Sequence, residues 1–100
     1  MVLKKEEKII QGWESGEAIH PGEFLHDELE ENSITQVELA ERIGMHKKII
    51  GEIIGGKNPI TRTTAVKLAK VFDTTAEYWV NLQNIYDNDK ARLGEEEKIK

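Results

Sequence analysis

Apolar residues recur along the chain at the spacing of one helix face, in stretches separated by turn residues. The most informative stretch runs from Thr35 to Ile60. Leu39 and Ile43 are four apart, and Ala40 between them lets a second helix come close. Gly44 follows at once, where a left-handed turn residue costs least. Met45, Ile50 and Ile53 then supply the next apolar stripe. Thr35 with Glu38 has the form of a capping box, which starts the first of these helices at Gln36. Helix, tight glycine turn and helix over residues 35–56 is the pattern of a helix-turn-helix DNA reader. An ordinary helical hairpin in a bundle is the bland alternative.

The flanking pattern predicts three more helices. His20-Pro21-Gly22-Glu23 opens one, because proline at the first helical position lacks an N–H that would be unpaired there. Phe24, Leu25 and Leu29 form its buried side; His26, Asp27, Glu28, Glu30 and Glu31 its wet side; Asn32 and Ser33 end it. After the third helix, Gly55 and Gly56 break the pattern and Pro59 stiffens the loop. Thr61 caps a fourth helix with Ala65, Val66, Leu68, Ala69 and Phe72 apolar. Either Thr74 or Thr75 opens a fifth, and Thr74 with Glu77 would make a capping box. Tyr78, Trp79, Leu82, Ile85 and Tyr86 then recur at helical spacing. That is more apolar bulk than one small core needs from its last helix, so part of this stripe is expected at a dimer seam. The alternative is that all five belong to the chain's own core. From Asp87 onward the chain is polar, and Gly94 to Lys100 reads as a frayed or disordered tail. The expected division is an N-terminal extension over 1–19, a domain over 20–87 and a polar tail over 88–100.

Composition refines this picture. A chain of 100 residues is one small all-α domain with a modest core. No apolar run approaches a membrane span, and Met1 to Ile10 has no secretory core, so a cytoplasmic protein without membrane contact is expected. The absence of cysteine excludes a disulfide framework and cysteine zinc sites. His20 and His26 are too far apart to share a helix face as ligands, so no metal is expected there. In the extension, Ile9, Ile10 and Trp13 are apolar enough to dock, either on this chain's own core or on a partner.

The net charge of −5 argues at first against nucleic acid, but its distribution reverses the argument. Residues 33–72 hold 7 basic and 3 acidic side chains, whereas residues 1–32 hold 3 basic and 9 acidic ones. The positive excess lies on the helix-turn-helix and the helix after it, where phosphate contact needs it. Gln36 adds an amide donor to the free N–H groups of its helix, or is only a solvated first-turn residue. His46 is expected to cap the third helix. Lys47, Lys48, Ile49 and Glu52 project away from the Ile50 and Ile53 stripe. Lysine can donate to guanine, isoleucine can touch a thymine methyl and glutamate can accept from cytosine; the lysines can equally serve phosphate alone. Lys57 and Asn58 reach toward phosphate from the following loop. Gly51 is the oddity, since a mid-helix glycine costs roughly 1 kcal/mol against alanine.

His20-Pro21-Gly22-Glu23, Thr35-Gln36, Glu38-Leu39-Ala40, Gly44, Ile50, Gly56-Lys57 and Trp79-Val80-Asn81-Leu82-Gln83 together resemble the HigA-type antitoxins of the Xre and phage-repressor class. The resemblance spans about residues 20 to 87. It implies a five-helix, lambda-repressor-like domain, a homodimer joined through its C-terminal region, and a palindromic operator in the protein's own promoter. It also implies neutralisation of a HigB-type toxin, a small basic mRNA endonuclease. By position, Gln36 is the phosphate-clamp residue and Lys47, Lys48, Ile49 and Glu52 the groove face. The family commonly has Ser at His46, Thr at Ile49, Ser at Gly51 and Asn at Gly55, so no operator sequence carries over.

The expected function is therefore a non-enzymatic antitoxin and autorepressor without a cofactor. An orphan or phage-type regulator lacking a toxin is the second reading. A pure interaction module whose altered third helix no longer reads DNA is the third. An enzyme fits least: Gly55-Gly56-Lys57 lacks the spacing of a P-loop, and no nucleophile and base are paired.

Overall fold

The computed structural model describes residues 18–99, with side chains through residue 94. The expectations for Ile9, Ile10 and Trp13 fall outside these residues. Five α-helices make up the described part: α1 Pro21–Glu31, α2 Gln36–Ile43, α3 Lys47–Ile54, α4 Arg62–Phe72 and α5 Ala76–Ile99. None is long and apolar enough to cross a membrane.

Local chemistry explains where the helices begin and end. The His20 imidazole Nδ1 accepts from the Gly22 N–H at 2.9 Å and so caps α1, with Pro21 in its first turn. Thr35 Oγ1 accepts from the Glu38 N–H at 3.1 Å, and the Glu38 carboxylate accepts from the Thr35 N–H at 3.3 Å, completing the capping box of α2. Gly44 ends α2 at φ 66°, a left-handed turn that aims the chain into α3. Thr61 caps α4 through the Thr64 N–H. Of the two threonines before α5 it is Thr75 that caps, accepting from the Tyr78 N–H at 3.1 Å; Thr74 Oγ1 instead accepts from the Trp79 indole at 2.8 Å. His46 stands at the N-cap position of α3 with extended backbone, but its side chain makes no capping hydrogen bond.

The core joins every helix. Phe24, Leu25 and Leu29 of α1 meet Leu39 and Ile43 of α2, Ile50 and Ile53 of α3, Ala65, Leu68 and Phe72 of α4, and Trp79 and Leu82 of α5. The N-terminus of α1 lies directly on the C-terminal end of α3. A Cβ at Gly22 would collide with the Ile53 carbonyl oxygen and stand 2.9 Å from Ile54 Cα. Gln83, itself buried, reaches back across the fold: its Oε1 accepts from the Ile60 N–H at 2.8 Å, and its Nε2 donates to Asp87 Oδ1 at 2.9 Å.

One expectation is corrected here. Trp79 and Leu82, two of the five residues from which a dimer seam was expected, are buried in the chain's own core at 0% and 4% exposure and drop out of it. Tyr78 packs edge-on against Trp79 and is half-buried, whereas Ile85 stays open at 40%. A stripe five residues wide exceeds one contact face, and its inner edge turns to the core. α5 runs on past Asp87 and Gly94 as far as Ile99. Polarity alone does not end a helix. Lys, Ala, Arg, Leu and Glu are good helix formers, and Arg92 pairs at 3.7 Å with the buried Asp89 one turn earlier.

Candidate nucleic-acid interface

Ile50 at 0% and Ile53 at 1% exposure fix the rotation of α3 about its axis. The opposite side then has to face outward. Lys47, Lys48 and Ile49 are exposed there, with Ile49 at 40%, and Glu52 is half-exposed beside them. Among the described residues Lys47, Lys48 and Lys57 have no carboxylate at salt-bridge distance, whereas Arg62 pairs with Glu77 at 3.5 Å. Two unpaired lysines in the first turn of a helix sit at its positive end, without an acidic residue to offset them. The placement does not favour the dipole of its own helix, and it leaves two positive charges facing outward.

α2 brings Gln36 to this side. Its Oε1 lies 3.5 Å from where a Cβ at Gly51 would stand, so the amide lies over the middle of α3. That is ordinary contact distance, and no neighbouring helix demands the glycine. The effect of Gly51 is a bare strip of backbone between Gln36 and Glu52 on the outward face. Lys57 is exposed on the loop after α3, while Asn58 is half-buried. His46 is exposed at the start of α3. Gln36, His46, Lys47, Lys48, Ile49 and Glu52 thus converge around α3, and Lys57 extends the surface past its C-terminus. Asn58 contributes its backbone to an internal contact.

That contact is with His20, whose role as a structural bridge the sequence pattern did not reveal. The imidazole accepts from Gly22, lies beside the backbone of Asn58, and meets the Tyr86 ring edge-on at 4.8 Å between centroids. Burial holds its pKa below the ordinary 6.5 and Lys90 adds to the depression; the Asn58 backbone, Asp87 and Glu23 oppose it. A depressed folded pKa means that the unfolded chain takes up the proton first as pH falls. The His20 contribution to stability is therefore complete above about pH 6.5, declines below that, and is gone once pH is under the folded value. His20→Asn keeps an N-cap oxygen but removes the titration. The stability difference between wild type and H20N in urea is expected to shrink from about pH 7.5 to about pH 5. A difference that stays constant over that range refutes this account.

On the outer side of α1, His26, Asp27 and Glu30 bring potential ligand atoms within 4.8 Å of one another. His26 Nε2 and Glu30 Oε1 are 3.4 Å apart at i,i+4 spacing, the pairing of a solvated helix face. His20 and His26 do not converge.

The helical core and the outward face of α3 define a helix-turn-helix protein, and the general helix-turn-helix family matches residues 25–79. An uncharacterised helix-turn-helix transcriptional regulator of Haemophilus influenzae is 45% identical over 67 residues, covering 66% of this chain and 63% of that protein. The match thus spans under two thirds of that relative's length. Antitoxin HigA-1 of Vibrio cholerae is 38% identical, covering 78% of this chain and 76% of the antitoxin. The structure of Pseudomonas aeruginosa antitoxin HigA with the higBA promoter superposes with a TM-score of 0.76 at 33% identity, covering 83% of this chain and 91% of that one. The chain belongs to the HigA-type antitoxins of the helix-turn-helix class.

Proposed function

We propose that the protein binds its own promoter as a twofold dimer and represses transcription, and that it neutralises a HigB-type mRNA endonuclease toxin. The observation that carries the DNA reading is the outward face of α3, held in place by Ile50 and Ile53 and bearing unpaired Lys47 and Lys48. The solved HigA–promoter complex of similar fold supports the same reading. A symmetric pair would set two α3 helices about 34 Å apart in successive major grooves of a palindromic operator. Ile85 and Tyr86 of α5 remain as candidates for the seam. Glu23, Glu30 and Glu31 on the exposed side of α1 make a separate, acidic surface suited to a small basic toxin. The proposed regulator is not an enzyme, takes no cofactor and works in the cytoplasm.

Fluorescence anisotropy with the upstream promoter duplex at several salt concentrations tests the DNA half. Changing both Lys47 and Lys48 to Ala is expected to weaken binding at least about tenfold and to reduce the salt slope by about 1.8 per protomer. Unchanged affinity and slope would mean that α3 does not face the duplex. Co-purification with the adjacent gene product tests the toxin half. The relative described only as a transcriptional regulator favours a second reading, a regulator without a toxin, and that reading predicts the promoter shift but no co-purifying partner.

A further inference from the structure

We infer that His20 is a positioning residue that couples the last helix to the loop after α3, so that the state of the Tyr86 face of α5 sets the placement of Lys57 and Asn58. This rests on the reading that the loop meets DNA phosphate.

The loop over residues 55–60 is tied at three places. Its first half is bound to the end of α3: the N–H groups of Lys57 and Asn58 donate to the Glu52 carbonyl at 2.8 and 3.2 Å. Its far end is bound to α5, because the buried Ile60 N–H donates to Gln83 Oε1. Between these, the His20 ring fills the gap. It has the loop backbone at Gly56 and Asn58 on one side and receives the Tyr86 ring on the other. The Gly56 backbone lies against it, with a Cβ there falling 3.7 Å from His20 Cγ. The α1 cap holds the ring in one orientation. Nδ1 accepts from Gly22 and so carries no proton, which places the ring proton on Nε2 for a backbone carbonyl.

Gln83 and Tyr86 are three apart on α5, so they share one face and move together. A shift of that helix face pulls Gln83 from Ile60 and Tyr86 from His20, and both effects reach the same loop. Ile85 and Asp87 beside Tyr86 are exposed, so this connection reaches the surface of α5.

The test uses the full chain with H20N, Tyr86→Leu and Tyr86→Phe. Amide hydrogen exchange reads the loop without DNA, and promoter-duplex anisotropy reads the consequence. In H20N and Y86L the Lys57 and Asn58 amides are expected to exchange about tenfold faster, while amides in the middle of α4 keep their protection. Promoter affinity is expected to fall about fivefold in both, and Y86F, which keeps the ring, should match wild type in both measurements. Wild-type exchange in H20N and Y86L overturns the inference, as does faster exchange with unchanged DNA affinity. If the wild-type protein does not bind the duplex, the DNA reading itself fails, and the exchange data still decide whether the coupling exists.

Discussion

Gly22→Ala is expected to lower the unfolding free energy by about 3 kcal/mol or more, at the upper end of what overpacking costs. The glycine is inside α1, where alanine would ordinarily be the better helix former by roughly 1 kcal/mol. Here the gain is overridden. The added methyl would run into the Ile53 carbonyl oxygen and crowd Ile54 Cα, both backbone atoms that no rotamer change can move aside. The only relief is to lift the start of α1 off the end of α3, which would pull the buried Pro21, Phe24 and Leu25 from the core. Small domains have only about 5–15 kcal/mol of net stability, so G22A should shift the urea midpoint far down or leave the chain unfolded. A midpoint equal to or above wild type would show that the two helices do not meet this closely.

Trp79→Ala is expected to cost about 3–5 kcal/mol, the range for removing a large buried aromatic. The ring is fully buried, packs at 6.2 Å from Phe72 and 5.1 Å from Tyr78 between centroids, and donates its indole N–H to Thr74. Truncation would leave a cavity between α4 and α5. Ile85→Ala is the matched control. With 40% of Ile85 exposed, it should change the stability of the chain by less than about 1 kcal/mol. Urea denaturation of both variants at two protein concentrations separates a core role, whose loss does not depend on concentration, from a seam role, whose loss does. A loss below about 1 kcal/mol for W79A would return the ring to the surface.

These two substitutions mark what could and could not be read beforehand. Gly22 and Trp79 both lie in segments that carried the family resemblance, yet their spacing alone did not say what each touches. The Thr35–Glu38 box, Pro21 at the start of α1 and left-handed Gly44 were legible because each is a hydrogen bond or dihedral preference closed within four residues. The orientation of α3 was legible for a similar reason: Ile50 and Ile53 form a narrow stripe that leaves one outward side. The width of the α5 stripe defeated the same reasoning. Periodicity locates a face but does not divide it between the chain's own core and another chain. The end of α5 had no local signature, because the residues after Asp87 are mostly polar and include no proline, and the helix runs to Ile99 through Gly94. His20 was read as too distant from His26 for a shared metal, and its contacts with Asn58 and Tyr86 had no local signature.

By itself, then, the order of residues determined the helix ends, the turn between α2 and α3, and the charge on the outward side of α3, because all of these arise from neighbours along the chain. Only the tertiary structure decided that Trp79 is core, that Gly22 admits no side chain, and that His20 and Gln83 hold the loop after α3. Those outcomes depend on atoms more than twenty residues apart being brought to van der Waals or hydrogen-bond distance. A periodic pattern specifies faces, and packing alone specifies which faces meet.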